Sequence, residues 1–145
     1  MLSRTKFAAL ALFVAGLFLY AGAAQAQEKA AKLWAKGEFH KADKTGSGTV
    51  TLYQLADGKR VLRLTDFSVD NGPDLHIRLI AANDAKDTAS VAKADHVELG
   101  KLKGNKGNQN YDLPENVDLS KYKVVSIWCN RFSVNFAAAP LKAVK

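Results

Sequence analysis

The chain has 145 residues with a formal net charge of +7, and 48% of its residues are hydrophobic. This length suits a single domain with one core once an N-terminal segment is set aside. The basic side chains are spread along the chain and are not interleaved with aromatic residues, so the clustered patch of a nucleic-acid-binding domain is absent. The diffuse positive charge favours acidic partners in a general way.

Residues 1–26 are typical of a secretory signal peptide. A basic start is followed by an uncharged apolar run at 7–24, and Ala-Gln-Ala at 24–26 matches the small-x-small pattern of a cleavage site. An uncleaved membrane anchor is the alternative, because the apolar run just reaches the length that spans a bilayer. The small residues at its end favour removal. We therefore expect a periplasmic or secreted protein that begins at Gln27 and has no membrane span after processing.

The mature chain opens with an alanine- and lysine-rich segment at 27–36, which we expect to be a short helix or a leader into the domain at 37–145. Strand patterns follow. Residues 50–55 and 61–67 are rich in β-branched and aromatic side chains. Asp-Gly at 57–58 stands between them and is typical of a type I′ turn with positive φ angles, which predicts an antiparallel hairpin.

Further short strands are predicted along the rest of the chain. Leu75, Ile77 and Leu79 alternate with polar His76 and Arg78, which predicts one buried and one outward face. Other extended segments are predicted at 97–102, 109–113 and 123–129, with a loop at 81–94 and a final strand in which Phe132, Val134 and Phe136 share a face. About seven to eight short strands with regular turns predict an all-β fold, an antiparallel β-sandwich or barrel.

Cys129 is the only cysteine of the chain. Exported proteins usually carry paired cysteines, and a single one cannot form an internal disulfide. Three interpretations stay open: a packed core residue on one strand face with Val125 and Ile127, a cysteine paired with another molecule, or a reactive thiol stabilised by the charge of Arg131. Trp128 points to the opposite face of the same strand, so either this sheet is covered on both sides or one of the two residues approaches the surface.

Haem binding has a weak sequence basis. The Cys-x-x-Cys-His motif of covalent attachment is absent. A non-covalent haem would need Cys129, His40, His76 or His96 as an axial ligand. No two of the histidines show ligand spacing, and an exposed surface position explains each of them more simply. The cofactor therefore stays unknown, with haem as a candidate.

Hydrolytic catalysis and metal binding are not indicated. No Gly-x-Ser-x-Gly element and no convincing nucleophile–base pair is present. Asp66 and Asp74 flank a turn and could bind a cation through oxygen ligands. Hydrogen bonds to nearby backbone amides explain Asp74 better, because aspartate commonly stabilises turns in this way. No metal ligands are predicted.

Five segments carry a combined resemblance to a known family. In chain order they are Gly-Glu-Phe-His at 37–40, residues 61–69, Asn-Gly-Pro-Asp-Leu-His-Ile at 71–77, residues 102–114 and residues 125–136. Together they resemble the electron-transfer DM-thirteen domain family over residues 37–141. Gly-Pro-Asp-Leu combined with Ile-Trp-Cys at 127–129 is the specific part. The chain departs from the family at Phe136-Ala137, where Phe-Gly is common.

The resemblance implies a compact β-rich extracytoplasmic domain that works in redox chemistry or electron transfer. The family's characteristic cysteine matches Cys129, for which the implied role is a bare thiol or a ligand of a prosthetic group such as haem. Trp128 and Arg131 would form its setting, and the partner would be an unknown redox protein or cell-surface partner. The alternative is a non-catalytic binding or adhesion module. In either case we expect an electron-transfer or binding domain rather than a stand-alone enzyme.

Overall fold

The structure is a computed structural model, and it describes residues 31–145. The predicted signal peptide, its cleavage site and the first residues of the predicted leader lie outside the described residues. Within residues 31–145, no helix is long and apolar enough to cross a bilayer.

The described chain is built from ten β-strands and contains no helix. Eight of the strands have at least five residues, and the other two are pairs of residues at the sheet edges. The strands are β1 (Lys32–Glu38), β2 (His40–Lys41), β3 (Gly46–Gln54), β4 (Arg60–Val69), β5 (Leu75–Ile80), β6 (His96–Lys101), β7 (Gln109–Leu113), β8 (Val124–Cys129), β9 (Val134–Pro140) and β10 (Lys142–Ala143).

Two antiparallel sheets of five strands each pack face to face as a sandwich. The first sheet has the order β10-β1-β3-β4-β7, and the second has the order β2-β9-β8-β5-β6. The chain first passes from one sheet to the other at Phe39, between β1 and β2. The main core lies between the sheets and includes Val50, Leu62, Ile77 and Ile127, all fully buried. The predicted all-β antiparallel sandwich is confirmed.

The predicted hairpin is confirmed, because β3 and β4 pair antiparallel along their length. The turn of this hairpin differs from the predicted type I′ turn. Gly58 has a φ of +87°, whereas Asp57 keeps a negative φ. The Gly58 N–H donates to the Leu55 carbonyl at 3.0 Å, and the Leu55 N–H donates to the Lys59 carbonyl at 2.7 Å. The connection is therefore a three-residue loop with glycine in the left-handed region, not a type I′ turn, which needs positive φ at two central residues.

The segment predicted as a leader or short helix at 27–36 is extended where it is described. β1 covers its second half and pairs antiparallel with β3 and β10. The alanine and lysine content favours a helix only weakly, and pairing with two neighbouring strands outweighs such a local preference.

Phe132 does not lie in the final strand as predicted. It belongs to the turn between β8 and β9, which we call the tip (residues 130–133), and it is 59% exposed. Ser133 has a φ of +53°, which interrupts the extended alternation just before Val134. Phe136 is buried in the main core as predicted.

Candidate functional site

Cys129 is the last residue of β8, and it is fully buried. In the sheet it pairs with Leu75 on one side and Val134 on the other. Its side chain belongs to the main core, and it forms no disulfide. This position matches the interpretation of a packed core cysteine, because free cysteine behaves as a small buried hydrophobe. The reactivity of the thiol stays a prediction.

Both faces of β8 are covered. All six residues of the strand are buried. Val125, Ile127 and Cys129 face the main core, whereas Val124 and Trp128 belong to a second apolar cluster on the outer side of the sheet. The strand alternation left open whether the sheet is covered on both sides or whether Trp128 or Cys129 approaches the surface. The structure shows that the sheet is covered on both sides here.

The outer side of β8 is covered by the connection between β5 and β6, which we call the covering loop (residues 81–95). Ala85 and Val91 of this loop pack in the second cluster. Asn135 of β9 is fully buried and donates to the carbonyls of Ala85 at 3.2 Å and Asp87 at 3.4 Å. It also accepts a hydrogen bond from the Ser126 hydroxyl at 2.8 Å. A buried polar network of this kind fixes the loop on the sheet.

A second attachment joins the covering loop to β2. The His40 Nε2 atom lies 2.6 Å from the Asp84 Oδ1 atom. Partial burial alone lowers the pKa of His40, but hydrogen bonds to the Lys41 carbonyl and to Asp84 raise it above its usual value of 6.5. Burial raises the pKa of Asp84, but hydrogen bonds from His40 and from the Ala85 amide lower it below its usual value of 3.8. The two groups therefore stabilise each other as an ion pair.

Trp128 is closed off from solvent by Arg78 of β5. The Arg78 guanidinium carbon lies 4.9 Å from the centre of the Trp128 ring, within the range of a cation–π interaction. Arg78 donates to Glu98 at 3.0 Å and to Asn130 at 2.6 Å. The guanidinium is thus fixed over the ring, and Trp128 keeps only 9% of its surface exposed.

His76 lies beside this arrangement and is held between two carboxylates. Its Nε2 atom is 2.8 Å from Asp74 Oδ1, and its Nδ1 atom faces Glu98. The His76 side chain is only 13% exposed, so the prediction of an exposed surface histidine is wrong for this residue. Asp74 contacts this ring and does not pair with Asp66. Among residues 31–145, no group of three or more His, Cys, Asp or Glu side chains is arranged to hold a metal ion.

The three candidate site residues do not converge in the structure. Arg131 is exposed in the tip, while Cys129 faces the main core and Trp128 faces the second cluster. Within the described part of the chain, the structure shows no hydrogen bond or ion pair that joins Arg131 to Cys129. Any contact between them requires a change of the tip.

The surroundings of Cys129 do not fit a haem. Cys129 lines neither the cleft beside β1 nor the cleft beside β7. Its neighbours in the sheet and core are close-packed aliphatic and aromatic side chains. A planar group of that size would need a cavity where these side chains now touch.

The comparison with known families decides the identity at the family level. The profile of the electron transfer DM13 family matches residues 38–141, which span almost the whole sandwich. The chain belongs to the electron transfer DM13 family. No curated protein and no solved structure matches it. Membership in the electron transfer DM13 family supports a redox-related role, and it confirms the resemblance carried by the Ile-Trp-Cys and Gly-Pro-Asp-Leu segments.

Sequence reasoning missed the role of Asn135 and of the covering loop. One signal was present, since Asn135 is a single polar residue at the head of the apolar run Phe-Ala-Ala-Ala. Its partners, Ala85 and Asp87, are about fifty positions earlier in the chain. Local periodicity carries no information about such a contact.

Proposed function

We propose that this chain is an exported electron-transfer module in which Cys129 is the redox-active thiol. The observation that carries the proposal is the place of Cys129 within this electron transfer DM13 domain: it is fully buried, yet it directly precedes the exposed tip. The thiol is therefore sheltered in the closed protein, and the next residue along the chain belongs to the tip.

Burial protects the Cys129 thiol in an oxidising compartment. Exposed thiols there are readily captured in mixed disulfides, because exchange proceeds by attack of a thiolate on a disulfide sulfur. A thiol buried in apolar surroundings is inert towards such reagents. Cys129 would therefore react only when the tip opens. A partner that binds and stabilises the open tip would expose the thiol and so allow the reaction with that partner.

The fold provides a reason for opening to be confined to the tip. The outer side of β8 is fixed at Trp128 by Arg78 and by the covering loop. Asn130 at the start of the tip is held by Arg78 and by the Asp74 carbonyl, whereas residues 131–133 are exposed. Ser133 has a left-handed φ of +53°, which is unfavourable for a residue with a Cβ atom. Chain ends and turns open locally at much lower free energy than the whole domain.

The chemistry proposed for the open state is thiol–disulfide exchange. The Cys129 thiol loses its proton to solvent, and the thiolate attacks one sulfur of a disulfide on a redox partner. A bond forms between the two sulfurs, while the other partner sulfur leaves as a thiolate. A small thiol, as its thiolate, then attacks the Cys129 sulfur of the mixed disulfide, and the second partner sulfur leaves as a thiolate. Another small thiol attacks the sulfur of the first one, so that Cys129 leaves as a thiolate and the two small thiols end as a disulfide. The two electrons that reduce the partner therefore come from the two small thiols. Arg131 belongs to the tip and would stabilise the thiolate once the sulfur is exposed.

The test compares the wild-type protein with Cys129→Ala in electron exchange with a disulfide-containing redox protein. Val125→Ala is the matched control, because Val125 lies on the same face of β8 and its variant keeps the thiol. We expect exchange to vanish in Cys129→Ala and to persist in Val125→Ala. Unchanged exchange in Cys129→Ala would instead favour the binding-module alternative. A Soret band in protein from its native compartment would contradict the bare-thiol chemistry.

A further inference from the structure

A cleft of about 680 Å³ lies at the edge of the sandwich where the chain passes from β1 to β2. This volume is in the range of small-molecule sites. The residues that line it include Lys36, Glu38, Phe39, Thr51, Pro140 and Lys142. The cleft does not include Cys129 or the tip, so it is separate from the redox site proposed above.

Two lysines stand side by side in this cleft. Lys36 of β1 pairs directly with Lys142 of β10, and both line the cleft. Like charges opposite each other on neighbouring strands destabilise a sheet. Within residues 31–145, neither lysine forms an ion pair with an acidic side chain. A bound anion between the two ammonium groups would remove the repulsion that they otherwise cause.

A hydroxyl group without a partner lies next to the lysines. Thr51 pairs with Lys36 in the first sheet and lines the same cleft. Its Oγ1 atom is buried and has no hydrogen-bond partner in the described region. A buried polar atom left unpaired destabilises a protein, so such atoms are rare unless a ligand or water completes them. Because solvent does not reach this atom, the hydroxyl donates to an anionic oxygen only when binding moves the side chains that cover it.

The remaining lining gives the cleft an apolar part. Pro140 and the small exposed part of Phe39 line it, and the aliphatic stems of the lysines add to them. Small-molecule sites typically combine such apolar walls with a few polar groups that fix the orientation of the ligand. Glu38 is the single acidic residue of the lining and disfavours a dianion beside it.

We propose that this cleft binds a small monoanion with a flat apolar body, of the aromatic sulfonate or carboxylate class. The anionic group lies near Lys36 and Lys142 and accepts a hydrogen bond from Thr51. The apolar body packs on Phe39 and Pro140. This binding activity goes beyond the redox function and does not depend on Cys129.

Calorimetry and NMR titration with naphthalene-2-sulfonate test the proposal. The matched probes are methanesulfonate, which has the same single charge without the ring, and 2-naphthalenemethanol, which has the ring without the charge. We expect both to bind about tenfold or more weakly than naphthalene-2-sulfonate, since each lacks one set of contacts. Equal binding of methanesulfonate, or no saturable binding of naphthalene-2-sulfonate, would overturn the proposal.

Variants locate the site. Replacing both cleft lysines, Lys36→Ala with Lys142→Ala, should weaken binding about tenfold or more without lowering the free energy of unfolding. Lys93→Ala with Lys101→Ala removes the same charge outside the cleft and should leave affinity within about twofold, because exposed distant charges are screened. Equal losses in the two double variants would mean that net charge alone attracts the probe and would overturn the proposal.

The variant Thr51→Val tests the contribution of the hydroxyl to binding separately from that of the lysine charges. The exchange removes a buried unpaired hydroxyl at nearly constant volume, so the free protein should be as stable as the wild type or more stable. Affinity for naphthalene-2-sulfonate should nevertheless fall severalfold. Wild-type affinity in this variant would contradict the assigned role of Thr51. Cys129→Ala should keep full affinity, so failure of the redox function and failure of this site give different results.

Discussion

The imidazole of His40 and the carboxylate of Asp84 meet at 2.6 Å and join β2 to the covering loop. The loop covers the outer side of β8, the strand that ends at Cys129. The ion pair therefore helps to keep this strand buried on both faces. Its strength depends on pH, because both partners titrate.

We expect the contribution of this pair to stability to be greatest between about pH 3.8 and 6.5, the usual pKa values of the two groups. The pKa of His40 is raised in the folded protein, so its contribution is complete below 6.5 and is lost as pH rises through the folded value. The pKa of Asp84 is lowered, so its contribution is complete above 3.8 and is lost as pH falls through the folded value.

Urea unfolding of the wild type and Asp84→Asn across pH measures this effect. Asparagine keeps an oxygen that can accept from the Ala85 amide, so the variant removes mainly the charge. The difference in unfolding free energy should be largest near pH 5 and should shrink towards pH 8. A difference that stays constant over this range would show that the ion pair does not set the pH dependence.

Asn135→Ala should destabilise the domain by about 2–3 kcal/mol, because it leaves the Ser126 hydroxyl and the Ala85 carbonyl without their partner in a buried site. Amide hydrogen exchange in the covering loop should accelerate more than exchange in the first sheet. Asn105→Ala is the control, since Asn105 makes an exposed side-chain hydrogen bond to Asn71. Similar losses in the two variants would contradict the role of Asn135 in holding the loop.

Much of the sandwich follows from alternation and turn chemistry in the sequence. The buried face of β5 at Leu75, Ile77 and Leu79 is as predicted, and β7 has the predicted bounds. Alternation assigns side chains to two faces but does not say whether one face or both are covered. For this reason the sequence left the environment of Trp128 and Cys129 open, and only the covering loop decides it.

Polar contacts between distant segments were the other part that the sequence could not provide. His76 is shielded because Asp74 and Glu98 come to it from a turn and from a neighbouring strand. Phe132 is exposed because the backbone at Ser133 leaves the extended conformation. Each result depends on a three-dimensional neighbour or a single dihedral angle, which residue patterns do not specify.

Two glycines with positive φ should respond very differently to alanine. Gly58, at φ +87°, has open space around it, so Gly58→Ala should cost about 1–2 kcal/mol through backbone strain alone. Gly48 lies at φ +107° in the bulge of β3, where a Cβ atom would fall 2.7 Å from the Phe67 Cα atom. Gly48→Ala should therefore destabilise the domain clearly more. Equal losses in urea unfolding would contradict the tight packing of this bulge.

The proposed export predicts a defined N-terminus. Protein recovered from its native compartment should begin at Gln27, because the Ala-Gln-Ala pattern places the cut before this residue. N-terminal sequencing together with intact mass measures this directly. A chain that keeps residues 7–24 would show that the protein is membrane-anchored.

Substitutions in the tip can distinguish exposure of Cys129 by local opening from exposure by global unfolding. Ser133→Gly relieves the left-handed strain at φ +53°, whereas Ser133→Val increases it because a β-branched residue disfavours this conformation. If opening of the tip exposes the thiol, Ser133→Gly slows its reaction and Ser133→Val accelerates it. The two changes lie on the surface, outside the main core that Cys129 occupies.

The most direct measurement is the rate at which Cys129 forms a mixed disulfide with a small disulfide reagent in folded protein, followed over low urea concentrations. A redox-active thiol reached through the tip should react at a rate nearly independent of low urea, since local opening exposes little surface. The rate should be lower than that of the wild type in Ser133→Gly and higher in Ser133→Val. A rate that rises with the full urea dependence of global unfolding would show that Cys129 is only a core residue.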